Sequence, residues 1–82
     1  SKDTIEAFLG ERTKAKPGAL VPQSELFAAY VSWAERMGYA AMTRYALHKS
    51  LLAMGWRKKK CAVGTRANLK QFWAWIDVAL RG

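Results

Sequence analysis

The sequence predicts an α+β fold, mostly helical, in which three helices precede a C-terminal β-hairpin. Three observations lead there. Apolar residues in two segments, 26–37 and 47–54, recur at the 3.6-residue period of a helix. Each segment is followed by a glycine, Gly38 and Gly55, the residue that most readily takes the left-handed turn beyond a helix end. Beyond Gly55 the pattern changes to a charged stretch, a glycine-containing turn, and an aromatic and β-branched run. With 82 residues the chain has room for one domain, residues 1–82. Helix, short strand, helix, helix, strand, strand is the order of a winged helix.

Residues 4–12 read as a short helix, capped by Asp3 or Thr4, with Glu6 in its first turn and Ile5, Phe8 and Leu9 on one stripe. Gly10 weakens its end. Residues 13–18, with Lys14, Lys16, Pro17 and Gly18, read as a loop. Ala19, Leu20 and Val21 allow only a very short strand, stopped by Pro22. Ser24 is the expected N-cap of the second helix, with Glu25 in its first turn. Leu26, Tyr30, Trp33 and Met37 form its apolar stripe, widened by Phe27, Val31 and Ala34. Because Tyr30 and Trp33 share that stripe, they read as core anchors rather than a stacking platform for bases. Thr43 caps a third helix that ends at Met54. Leu47, Leu51 and Met54 fall in one arc, Tyr45, Lys49 and Leu52 lie opposite, and His48 is at the edge. Residues 56–63 and 69–78 read as strands around the turn 64–68. A rival reading continues 67–80 as a helix, since Leu69, Phe72, Trp73, Ile76 and Leu80 also fit a helical stripe.

The charge is lopsided. Fourteen Lys and Arg against six Asp and Glu give a net +8. No acidic residue falls between Glu35 and Asp77, a span that holds Arg36, Arg44, Lys49, Arg57, Lys58, Lys59, Lys60, Arg66 and Lys70. Such a one-sign field attracts polyanions, nucleic acid first among them. Two helices joined by a short turn, the second with a polar and aromatic outer face, match the helix-turn-helix, whose second helix enters the major groove. Arg44, Tyr45, His48 and Lys49 are then expected to face the groove. Arg44 and Lys49 are expected to project opposite Leu47 and Leu51, Arg44 toward a guanine edge or a phosphate and Lys49 toward phosphate. Arg57, Lys58, Lys59, Lys60 and Arg66 are expected to clamp the flanking backbone from the hairpin. Thr43, Thr65 and Lys70 complete the candidate set. Because strand side chains alternate, only some of the three consecutive lysines can meet one backbone. The expected partner is double-stranded DNA. Two other readings stay open: a protein-docking module for an acidic partner or neighbouring subunit, motivated by the hydrophobic stretch 72–80, and RNA binding by the same face.

Other chemistry is missing from the sequence. The glycines never form a Gly-x-x-x-x-Gly-Lys phosphate loop. Glu25 and Glu35 are about 15 Å apart along one helix, too far to flank one bond. One His and one Cys, His48 and Cys61, build neither a zinc site nor a disulfide. No enzymatic activity, metal, cofactor or small-molecule substrate is therefore expected. No apolar run approaches the ~20 residues of a membrane span, and no signal-peptide pattern opens the chain, so a cytoplasmic location is expected. The start, Ser1-Lys2-Asp3, is that expected of a fragment of a longer protein.

The segment 24–38 and its continuation 42–55 resemble the C-terminal winged-helix domain of phage, plasmid and poxvirus-type primase–helicase replication proteins. Leu26, Phe27, Tyr30, Trp33, Gly38, Thr43, Leu47, Leu51 and Gly55 stand at the family's characteristic places, with Leu47 where Phe is usual. The resemblance covers about two-thirds of the chain. The family commonly closes on aromatic-aromatic-Gly-Ile-x-apolar; here the nearest match, residues 73–78, has Trp75 in place of Gly. The resemblance implies a DNA-binding module, in some relatives for the replication origin, attached to other domains of a parent protein that carry the ATPase.

Overall fold

The period of α2 (Gln23–Met37) sets the core. Leu26, Tyr30, Trp33 and Ala34 are all buried on its inner face. In the computed structural model, which describes residues 2–82, that face is covered by α1 (Lys2–Arg12) through Ile5 and Phe8, and by α3 (Arg44–Ala53) through Leu47 and Leu51. The Phe8 ring lies 5.4 Å from Tyr30, edge-on, and 5.7 Å from Trp33. The polar ends of both α2 aromatics are used. The Trp33 indole N–H donates to Glu11 Oε2 at 3.0 Å, and the Tyr30 hydroxyl accepts the Met42 N–H at 2.9 Å, which ties the α2–α3 connection to the core. Met37, expected in the stripe, is half exposed at the last position of α2.

The helix ends follow local chemistry with one exception. Gly38 takes φ +78° and its N–H closes onto α2 carbonyls. Thr43 caps α3, its Oγ1 accepting the Ala46 N–H at 3.1 Å. Ser24 does not cap α2. The helix begins two residues earlier than that cap implies, at Gln23, after Pro22, whose φ of −54° and extended ψ of 138° turn the chain out of the preceding strand without a side-chain cap. α1 runs through Gly10 to Arg12, where Thr13 Oγ1 donates to the Leu9 carbonyl at 2.6 Å.

The expectation of a mostly helical fold is corrected. Helix makes up 44% of the chain and strand 38%, in three helices and a three-stranded antiparallel sheet; the α+β class stands. The difference comes largely from β1 (Thr13–Pro22), ten residues long where a loop and a very short strand were expected. Its lysines carry no apolar alternation, and it is a strand because β3 (Asn68–Leu80) offers it a ladder. Thr13, Lys14 and Ala15 pair with Leu80, Ala79 and Val78, and Leu20, Val21 and Pro22 pair with Ile76, Trp75 and Ala74. The register shifts between those blocks. The shift is held by Asp77, at φ +61°, whose carboxylate accepts the Gly18 N–H at 2.9 Å and an Arg57 N–H at 2.8 Å. Gly18 itself stands at φ +83°, so the irregularity sits where glycine permits it.

β2 (Lys58–Thr65) pairs with the other edge of β3, giving the order β1-β3-β2. The hairpin reading of the C-terminal region therefore holds over the helical one. Its turn is Arg66-Ala67, between the paired Thr65 and Asn68, and Thr65 Oγ1 accepts the Asn68 N–H at 3.2 Å. Gly64 is required there, since a Cβ at this position would collide with the Asn68 carbonyl oxygen. Every residue from 62 to 71 is exposed, so the outer half of the hairpin stands clear of the core.

Trp33→Ala removes a side chain that is 1% exposed and packs against the buried Phe8 ring and the half-exposed Tyr39 ring. It should destabilise the chain by about 3–5 kcal/mol in urea unfolding. A loss below about 1 kcal/mol would show that Trp33 is not a core anchor.

Candidate nucleic-acid interface

α3 sorts its residues by angle around the axis. Leu47 and Leu51 point inward, and Tyr45, Lys49 and Leu52 point out, with Tyr45 69% exposed. Tyr45 and Lys49, one turn apart, associate: the Lys49 Nζ lies 5.5 Å from the Tyr45 ring centroid. Arg44 departs from the expectation. It is exposed, but its guanidinium lies over the Phe27 ring, 5.0 Å from the centroid, at the flank that α3 shares with α2. At 100° per residue Arg44 falls between Leu51 and His48, not opposite Leu51. Thr43 is engaged as the helix cap and Thr65 as the turn acceptor, so both hydroxyls have structural work.

His48 is the hinge between helix and hairpin. Its ring packs 5.3 Å from Trp75, and its Nε2 is 3.3 Å from Lys58 Nζ. A lysine ammonium only donates, so Nε2 accepts and the imidazole is neutral in this contact. Burial, and then the Lys58 charge, hold its pKa below the ordinary 6.5.

The hairpin divides the basic residues between two faces. Lys58 pairs with Trp75 and Lys60 with Trp73, so both lie on the face that meets α3. Lys59 pairs with Ala74, and Lys70 with Val63, on the other face. Arg57 is drawn away, its guanidinium bound to Asp77. Arg66 stands exposed at the tip. Of the twelve sequence-derived residues, the structure joins His48 to Lys58, with Lys60 on the same face of β2 and Tyr45 and Lys49 on the outer face of α3. It does not bring Lys59, Lys70 or Arg57 to that surface.

Trp73 was not among the sequence-derived candidates. It is 44% exposed, and the Lys58 Nζ lies 4.8 Å from its ring centroid. Two residues on, Trp75 is 2% exposed. The aromatic run looked uniform in sequence; only the sheet register separates the buried tryptophan from the displayed one.

Folding lowers the His48 pKa, so the unfolded chain binds that proton more readily. The stability linked to neutral His48 is complete above about pH 6.5 and falls as pH drops below it. His48→Gln should therefore lose less in thermal midpoint between pH 7.5 and 5.5 than the parent. Equal losses would show that His48 titrates alike in both states.

Among the described residues no helix is long and apolar enough to cross a membrane. No curated protein matches the chain. The Poxvirus D5 protein-like family matches residues 1–80, nearly the entire length. The chain thus belongs to the Poxvirus D5 protein-like family, a domain family of primase–helicase-like replication proteins.

Proposed function

We propose that this chain is a duplex DNA-binding module, the C-terminal part of a primase–helicase-type replication protein, presenting α3 to the major groove and the α3-facing side of the β2–β3 hairpin to the flanking phosphates. The observation that carries the reading is the His48–Lys58 contact. It joins the helix and the hairpin into one continuous surface, with Lys49 on one side of the junction and Lys60 on the other. The sequence offers that surface no acid between Glu35 and Asp77, and Asp77 is neutralised by Arg57. Cations on two elements at fixed separation suit a polyanion with a regular charge spacing. The family's place in replication makes origin DNA the first specific sequence to try. The docking alternative loses its motive, since the hydrophobic stretch 72–80 supplies the central strand and buries Ala74, Trp75 and Val78. The proposed role is binding alone.

Binding to a random duplex should weaken with salt at a slope of about −4 to −5 in log K against log salt, for four to six phosphates neutralised. Lys58→Ala with Lys60→Ala should reduce that slope by about one to two, while Lys59→Ala should leave it nearly unchanged. A flat salt response in the parent overturns the proposal; equal effects of Lys59 and of the pair overturn the assignment of faces.

A further inference from the structure

The lysines of the hairpin serve the proposed duplex contact, and Trp73 has no part in it. The indole is 44% exposed, so part of a large π face is open to solvent. Its surroundings are specific. Lys60 is its cross-strand partner on the same face, Lys58 sits over its ring, and Lys58 in turn contacts His48 of α3. Trp73 thus lies at the edge of the proposed duplex surface, on the hairpin side, enclosed by the cations that would hold a phosphate backbone.

An exposed indole framed by lysines is the arrangement that stacks a nucleobase, because every base has a π face and the adjoining ammonium groups hold its phosphate. A base inside a duplex has no free face to offer; an unpaired one does. We propose that Trp73 stacks an unpaired base where duplex meets single strand, so that the module prefers a duplex with a single-stranded extension over a blunt one. This rests on the duplex reading, which supplies the grip beside the stacked base. Of the other exposed aromatics, Tyr45 lies on the outer face of α3 and belongs with the groove contacts, and Tyr39 packs 5.6 Å from Trp33 at the end of α2.

The test compares three probes: a blunt 20-base-pair DNA, the same duplex with a six-nucleotide single-stranded extension, and the six-nucleotide strand alone. The intact chain should bind the extended duplex at least about five-fold more tightly than the blunt one, the lower end of what one stacked base contributes. Trp73→Leu, which keeps an apolar side chain on the strand but has no π face, should abolish that preference and leave blunt-duplex affinity within two-fold. Trp73→Tyr should retain most of it. Thermal unfolding of each variant checks that the hairpin is intact. Equal affinity of the parent for blunt and extended duplexes overturns the stacking inference while leaving the duplex reading in place. Absence of blunt-duplex binding overturns the duplex reading itself. A preference that survives in Trp73→Leu overturns the assignment to Trp73.

Discussion

Trp75 fixes where the third helix and the hairpin stand relative to each other. On the central strand it pairs with Val21 of β1 and with Lys58 of β2. Its ring packs against His48 of α3 at 5.3 Å and edge-on against Trp56 at 5.7 Å. One buried residue therefore packs its ring on the helix and on the strand entry that follows it, while its backbone position is paired with both neighbouring strands. In a chain this short few other side chains are large enough to span those elements. With Trp75 in place, the Lys58 side chain emerges beside His48, and the helix surface and the hairpin surface become one.

The same anchoring explains why the charge is organised rather than merely abundant. Pairing fixes parity along β2, so Lys58 and Lys60 turn toward α3 and Lys59 turns away. Arg57, one step before, is captured by Asp77, which also holds the displaced backbone at Gly18. This ion pair is exposed, so its worth lies less in energy than in geometry. It occupies the one acid of the C-terminal half and keeps that acid off the basic face.

What the sequence disclosed follows from which forces are local. α2 and α3 were legible because their period, the Thr43 cap and Gly38 are properties of neighbouring residues. The hairpin was legible from its turn and its β-branched and aromatic run. β1 was not, since Lys14, Lys16 and Pro17 hold no strand pattern and the ladder comes from β3, some sixty residues away. The bulge at Asp77 was invisible for the same reason. In the site, residue types were readable and faces were not. Trp75, in a place where the resembling family has Gly, made the register of the last strand ambiguous, and that register decides that Trp75 is core and Trp73 is surface.

The lysines on β2 also have a second physical role, which bears on how their charge is to be weighed. β2 is an edge strand, and its free edge would pair with another chain unless charge discouraged it. The opposite edge, β1, carries Lys14, Lys16 and Pro17, all exposed, which is the same protection. Edge protection is indifferent to the face a lysine occupies, because any charge near the free backbone opposes stacking of a second strand. Contact with a phosphate backbone is not indifferent, because a side chain on the far face cannot reach it. The run of three lysines is therefore more than a single function needs. Lys59 suffices to explain protection of the edge, and Lys58 and Lys60 remain as the pair whose position, beside His48 and Trp73, edge protection does not account for.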